Sequence, residues 1–260
     1  MKQTSKRREE ILSQLKSEGS VSVSQLSQSL GVSTVTIRND LAYLETKGLL
    51  MRSYGGAIDC QVQEATPEVV HETNIQEKAT LHAREKASIA KAAASHIHSG
   101  ETIILDSGTT TEQVAKLLLN KQDIVVMTNG LNIAATLSEA DDVEVMMTGG
   151  TLRKKSLSFY GSQAEENMKA YHFDKIFLGV DGFHIRAGIT THNENEARLN
   201  RAMCDAAKEV IVVTDSSKFD KVSLHKIIPC DLINTLITDK NIPQDYLHAL
   251  SGQGIKVITV

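Results

Sequence analysis

The chain has 260 residues, 41% of them hydrophobic and 23% charged, with a net charge of −4. That balance excludes a disordered chain, and the length suits one large or two ordinary domains whose cores need no disulfides. Cys60, Cys204 and Cys230 are the only cysteines, far apart and in no C-x-x-C pair, which excludes a disulfide framework or a zinc ribbon and fits a reducing compartment.

The charge is unevenly spread. Residues 1–57 hold eight basic and five acidic side chains, a balance of +3, and the remainder carries −7. A slightly basic small domain on an acidic larger one fits a nucleic-acid reader tethered to something else. The start, MKQTSKRREEILSQLK, is charged with no apolar signal core behind it. No apolar run approaches the roughly 18 residues of a membrane span. The expectation is a soluble, cytoplasmic protein with no membrane partner.

Three helical patterns open the chain. Ile11, Leu12 and Leu15 lie on one amphipathic helix ending near Gly19, and Val23, Leu26 and Leu30 on a second that stops at Gly31. Ser33 is placed to cap a third, with Ile37, Leu41 and Leu44 on its buried face and its end before Gly48. The segment LLMRSYGGAI (49–58) reads as a hairpin turning at Tyr54-Gly55-Gly56. Three helices and a hairpin make a winged helix-turn-helix over 1–58.

Residues 59–75 lack a sustained period, carry Pro67 and read as a linker. A charged helix is expected over 76–97. From there to residue 260 the chain alternates. Strands are expected at 102–106, 123–128, 143–149, 175–180, 210–215, 235–239 and 256–260, with helices at 110–119, 131–140 and 193–208. Short, nearly continuous apolar strands between amphipathic helices predict a mostly parallel α/β sheet over 76–260.

In the third helix a 100° step leaves Val35, Thr36, Arg38, Asn39 and Ala42 away from the apolar face. That surface is small, polar and basic near its N-terminus, as entry into a major groove of double-stranded DNA requires. Arg can bond guanine, Asn can bond adenine, and methyl-bearing side chains can touch thymine. Arg52 and Tyr54 on the wing are placed for phosphate contact, with Ser22, Ser24, Ser33 and Thr34 as hydroxyl-bearing neighbours of the backbone.

A second polar set lies at strand ends. Strand 102–106 runs into Asp106-Ser107-Gly108-Thr109-Thr110-Thr111 and then a helix. Helix-start N–H groups, a glycine and several hydroxyls make a phosphate cradle. Thr128-Asn129-Gly130, Gly149-Gly150 with Arg153, Gly179-Val180-Asp181-Gly182 and Thr214-Asp215-Ser216-Ser217-Lys218 close other strands. In an open α/β sheet, ligands bind beyond the carboxyl ends of the strands. Polar groups there, with Arg153 and Lys218 as counter-charges, point to an anionic polyhydroxy ligand.

Arg7, Ile11, Leu15, Ser33, Thr36, the run Ile37-Arg38-Asn39-Asp40-Leu41 and the wing motif Tyr54-Gly55-Gly56-Ala57 match the helix-turn-helix signature of the DeoR family. The resemblance continues to the C-terminus. It implies a repressor of sugar metabolism with an effector domain similar in fold to ribose-5-phosphate isomerase and glucosamine-6-phosphate deaminases. It also implies phosphate at Ser107–Thr111 with help from Lys218, and sugar hydroxyls near Asp106, Asn129, Asp181 and Glu196. STVTIRNDLAYLE, LDSGTTT, MTGGTLR, SFYGSQAE, YHFD, THNENEARLNR and VVTDSSKF are most similar to family members that repress N-acetylgalactosamine and galactosamine utilisation. A galactosamine-type 6-phosphate is therefore the expected effector.

The rival is a sugar-phosphate isomerase or deaminase with an accessory N-terminal domain. GVDGFHI (179–185) followed by Asn193-Glu194 resembles the deaminase pattern, in which Asp, His and Glu move protons. Here Phe183 displaces the histidine and the glutamate lies farther along, so no catalytic residue is expected. His96-x-His98 lacks a third ligand, and no metal or other cofactor is expected. The reading is a repressor that binds operator DNA as a homo-oligomer. Its effector favours an arrangement in which paired recognition helices no longer match adjacent grooves.

Overall fold

The computed structural model describes residues 2–53, 55–58 and 74–260. In chain order the first elements are α1 (Lys2–Glu18), β1 (Ser20–Ser22), α2 (Val23–Ser29), α3 (Thr34–Thr46), β2 (Met51–Ser53) and β3 (Gly56–Ile58). Then come α4 (Ile75–Thr80), α5 (Ala83–Ser95), β4 (Thr102–Leu105), α6 (Thr109–Leu118), β5 (Ile124–Thr128), α7 (Leu131–Leu137) and β6 (Val143–Met147). A hairpin, β7 (Thr151–Arg153) and β8 (Ser158–Tyr160), precedes α8 (Ser162–Met168) and β9 (Phe173–Leu178). The last are β10 (Gly182–His184), β11 (Gly188–Thr191), α9 (Glu194–Asp205), β12 (Ala207–Val213), β13 (His225–Lys226), β14 (Thr235–Thr238), α10 (Gln244–Gly252) and β15 (Lys256–Thr259).

These elements form two compact units, and neither is continuous in sequence. The first combines the N-terminal segment with residues 181–194 and 220–230. Its helices pack around Ile11, Leu15, Val21, Leu26, Ile37, Leu41, Leu44, Leu50 and Ala57, which places the expected apolar faces inside one core. The wing is an antiparallel sheet in the order β1-β3-β2. Gly56 is required where β3 crosses β1, because a Cβ there would stand 2.0 Å from the Val21 carbonyl oxygen. A second antiparallel sheet of this unit, β10-β11-β13, was not anticipated from the sequence.

The second unit is a seven-stranded sheet in the order β15-β14-β12-β9-β4-β5-β6, with every neighbouring pair parallel. Helices α5, α6 and α7 bury Ile89, Ala93, Val114, Leu118, Ile133 and Leu137 against Ile103, Val126, Phe177 and Ile211 of the strands. From β4 the chain first winds outward through β5 to β6, then returns to β9 and builds in the opposite direction. The order therefore reverses between β4 and β9, which fixes the switch point of the sheet.

One expected helix differs. The charged segment 76–97 is broken into α4 and α5 at Leu81-His82, where His82 adopts a left-handed φ of +52°. Helix α4 also begins inside the expected linker, since Asn74 caps it by accepting from the Glu77 N–H at 3.0 Å. Residues 59–73 of that linker lie outside the described residues.

Candidate functional site

The reading helix α3 is set by its cap. Ser33 Oγ accepts from the Thr36 N–H at 3.2 Å and lies 2.9 Å from Thr36 Oγ1. Thr34, Val35, Arg38 and Asn39 are exposed, and Thr36 is half-buried. Val35 is 61% exposed, so an apolar, β-branched side chain stands in water at the helix start, where core packing gives it no role. A thymine methyl would give it one. Ser24 is exposed, whereas Ser22 is buried and caps α2, accepting from the Gln25 N–H at 3.2 Å. Tyr54 lies outside the described residues.

Charge pairing sorts the cations of this unit. Asp40, on the inner side of α3, is 2% exposed and accepts from Arg7 Nε at 2.6 Å and Arg8 Nε at 2.7 Å. Arg8 also lies 3.7 Å above the Tyr43 ring, a cation–π contact. These two arginines therefore lock α1 to α3 and neutralise a buried carboxylate. On the wing, Glu45 accepts from both the N–H and Nε of Arg52, at 3.0 and 2.7 Å. The Arg52 backbone N–H is the largest influence holding the Glu45 carboxyl below its ordinary value. Arg38 lies on the exposed side of the helix.

The second site is built at the β4/β9 switch point. Beyond β4, Asp106 is buried, and the Ser107 N–H donates to Asn129 Oδ1 at 2.7 Å. Asn129 Nδ2 returns a bond to Ser107 Oγ at 3.3 Å, so the loops after β4 and β5 are tied together. Helix α6 starts at Thr109 with no side-chain cap, while Thr109, Thr110 and Thr111 are all buried. Its first N–H groups have no partner within the helix, and Thr111 Oγ1 donates to the Gly108 carbonyl at 3.2 Å. Thr128 Oγ1 accepts from the Gly130 N–H at 3.0 Å and shapes the loop after β5. Gly150 is needed for the β7–β8 approach, where a Cβ would stand 2.4 Å from the Tyr160 carbonyl oxygen.

Arg153 and Glu196 face each other. Arg153 Nη1 donates to Glu196 Oε1 at 3.2 Å, and Ser156 and Ser158 hydroxyls donate to the same oxygen at 2.8 and 3.1 Å. Their charges cancel, so this pair offers hydrogen-bonding geometry more than a net counter-charge. Lys218 ends a short 3-10 turn begun by Asp215, which accepts from the Ser217 N–H and hydroxyl. Asp181 belongs to the first unit, where it accepts from Thr191 Oγ1 at 2.9 Å. His184, of the same unit, uses Nδ1 to accept from the N–H groups of Arg186 and Ala187 at 3.2 and 3.4 Å. Burial and then the nearby Arg186 push it toward the neutral form. Those bonds give His184 a turn-holding role.

Two polar residues near these sites escaped the sequence reading. Asp40 sits inside the quoted helix motif, but its clamp comes from residues more than thirty positions away. Asn200 on α9, in its hydrogen-bonding orientation, donates to Asp106 Oδ1 at 3.2 Å and to the Glu196 carbonyl at 3.3 Å. It steadies a buried carboxylate that Cys204 also borders; burial of that thiol raises its pKa out of the reactive range. Among the described residues no cluster of three or more His, Cys, Asp or Glu side chains is arranged to hold a metal. Nor is any helix among them long and apolar enough to cross a membrane.

A winged helix with a polar reading face, joined to an α/β unit with a cradle at its switch point, defines a ligand-responsive DNA-binding protein. Residues 7–63 match the DeoR-like helix-turn-helix domain and residues 81–240 the DeoR C-terminal sensor domain. The chain belongs to the DeoR family of transcriptional regulators. It is 52% identical over 257 residues to a protein of Escherichia coli O157:H7 assigned as the aga operon transcriptional repressor, covering 99% of this chain and 94% of that one. It is 33% identical to the lactose phosphotransferase system repressor of Lactococcus lactis subsp. lactis, covering 95% of each. With the glycerol-3-phosphate regulon repressor of Escherichia coli K12 it shares 30% identity over 99% of each.

Solved structures are similar at a greater distance. A ribose-5-phosphate isomerase in complex with phospho-erythronic acid aligns at a TM-score of 0.39 and 19% identity, covering 56% of this chain and 55% of that one. The delta subunit of eIF2B from Chaetomium thermophilum aligns at 0.43 and 18%, covering 62% and 57%. The three end-to-end relatives named above are repressors, and this chain is a transcriptional regulator of their family.

Proposed function

We propose that this chain represses an amino-sugar catabolic operon in the cytoplasm, binding operator DNA as a homo-oligomer and leaving it when a galactosamine-type 6-phosphate binds. Residues 1–58 supply the DNA contacts and 76–260 the effector contacts. The observation that carries the reading is the cradle itself: an uncapped helix start, three buried threonines and the Ser107–Asn129 tie, all at the sheet's switch point. Backbone N–H groups at a helix start have no intrahelical partner, and an anion can take several of them. A phosphate engages several at once. The 52% identity to the aga operon protein supports the choice of sugar.

Arg38, Asn39, Val35 and Thr36 are the base-reading set, with Ser24, Ser33 and Thr34 beside the backbone. On the effector side Ser107–Thr111 and Lys218 take the phosphate, while Asp106, Asn129, Arg153 and Glu196 take the sugar. A ligand that binds only the folded state at a hundredfold excess over its Kd adds about 2.7 kcal/mol of stability. Galactosamine 6-phosphate or its N-acetyl form is expected to raise the melting temperature more than the unphosphorylated sugar or glycerol phosphate does. Thr109→Ala with Lys218→Ala is expected to abolish that rise while the protein stays folded. An equal rise with unphosphorylated sugar would reject the phosphate cradle.

A further inference from the structure

Lys86, on the first turn of α5, is buried, and no part of the proposed DNA or effector contacts uses it. A buried ammonium is expensive unless its protons are bonded. Here Nζ donates to the Lys78 carbonyl at 2.5 Å and the Leu81 carbonyl at 2.6 Å. Those two carbonyls lie on either side of the α4 end, just before the left-handed His82 that breaks the helix. Lys86 thus satisfies the oxygens that the break releases, and it binds α4 to the start of α5. Removing it leaves the break without its bonds.

The position of this clasp matters. Helix α5 leads into β4 and packs against the sheet beside α6, so its N-terminus lies at the carboxyl end of the strands, the end that bears the cradle. Helix α4 itself packs on α6 and is held at its other end by the Ile75 N–H, which donates to the Lys155 carbonyl at 3.1 Å. Burial pushes the Lys86 ammonium below its ordinary pKa, and the Asp215 carboxylate opposes that shift. Helix α4 is also where the chain resumes after residues 59–73 that connect it to the winged helix.

We propose that Lys86 is a positioning residue that holds α4 against the phosphate cradle, so that effector occupancy is transmitted to the segment leading to the winged helix. This rests on the effector reading above. Phosphate arriving at the α6 start acts on the helix against which α4 packs. Bound anion tightens α4 onto α6 through the clasp. Without the clasp, ligand still binds the cradle but its signal stops at α5.

The test uses the full chain, an operator fragment selected by the wild type from a random DNA library, and galactosamine 6-phosphate as probe. In the wild type, hydrogen exchange is expected to slow at amides 107–112 and at 75–82 when ligand is added, with release of the operator. In Lys86→Met, operator affinity without ligand is expected to stay as in the wild type, and amides 107–112 are still expected to gain protection. Amides 75–82 are expected to gain none, and half-release is expected to need at least tenfold more ligand. Lys86→Arg, which keeps a donor, is expected to restore most of the response. Release by Lys86→Met at the wild-type ligand concentration overturns the proposal. Should Lys86→Met fail to fold, wild-type exchange decides alone: protection at 107–112 without protection at 75–82 overturns the clasp and leaves the cradle standing. Absence of protection at 107–112 in the wild type overturns the effector reading and the clasp with it.

Discussion

The reading helix and the phosphate cradle draw on the same residue types and treat them in opposite ways. On α3, Thr34, Arg38 and Asn39 stand in solvent, and of its polar side chains only Asp40, which locks the helix in place, is buried. At the cradle, Asp106, Thr109, Thr110, Thr111 and Asn129 are all buried. The contrast follows from the size of the partner. A DNA groove brings its own wide surface and desolvates side chains on contact, so the reader need only hold its backbone rigid. A small phosphorylated sugar cannot do that, so on the proposed function the polar groups must be arranged beforehand, and a wrong epimer would leave some of them unpaired.

The largest expected effect breaks the rigid half of that comparison. Asp40→Ala leaves two arginine heads facing each other without their shared carboxylate. Both keep some contact with water, so the loss falls short of a fully buried unpaired charge, at about 2–3 kcal/mol for the winged helix. Thermal unfolding followed by circular dichroism is expected to show the first unit melting earlier. The ligand-induced rise of the second is expected to persist. Unchanged melting of the first unit would remove the clamp from the account.

Next in size is the reading side. Arg38→Ala is expected to cost about 1–3 kcal/mol at a specific operator and to relax base preference. Gel-shift titration against the operator and a scrambled duplex measures both. A loss that is equal on the two duplexes would demote Arg38 to a phosphate contact.

The exposed side of this comparison was far more legible in the sequence than the buried one. Period 3.6 placed Ile37, Leu41 and Leu44 inward, and by subtraction Arg38 and Asn39 outward. The strand ends were equally clear, because continuous apolar runs stop abruptly at Asp106, Thr128 and Thr214. Pairings between distant side chains left no local trace: Asp40 reads as one more polar position on a helix, and Asn200 as solvent-facing within ENEARLNRAMCD. The break at Leu81-His82 carries neither glycine nor proline; a lysine several residues later stabilises it, which no turn rule detects. Strands β10, β11 and β13 have two to four residues each, too short for a period to register.

Asn200→Ala probes what such a hidden pairing contributes to the cradle. The variant removes the donor to Asp106 Oδ1 and to the Glu196 carbonyl. Hydrogen bonds to charged groups contribute about 1.5–3 kcal/mol, but Asp106 keeps other partners. Effector affinity is therefore expected to fall about fivefold by calorimetry, with operator affinity unchanged. If the loss of affinity is the same for sugar phosphate and for inorganic phosphate, Asn200 steadies the cradle as a whole and not the sugar-facing carboxylate.

The smallest effect concerns the wing, where exposure and pairing meet. Arg52 is half exposed yet held by Glu45 through two bonds. Solvent-exposed pairs contribute little to stability, so neither Arg52→Ala nor Glu45→Gln is expected to move the melting temperature noticeably. Their effect belongs to DNA affinity and its salt dependence. An arginine that reaches a phosphate adds about one unit to the slope of log affinity against log salt, and Arg52→Ala is expected to remove that much on any sequence. Glu45→Gln works in the opposite sense: the carboxylate no longer competes with phosphate for the guanidinium and no longer repels the backbone, so non-specific affinity is expected to rise about twofold. Lower pH gives the same change in the wild type. Because Arg52 holds the Glu45 carboxyl below its ordinary value, that gain emerges only as pH falls beneath the usual carboxylate range. Equal salt slopes for Arg52→Ala and the wild type would place the wing away from the DNA backbone, leaving α3 to bind alone.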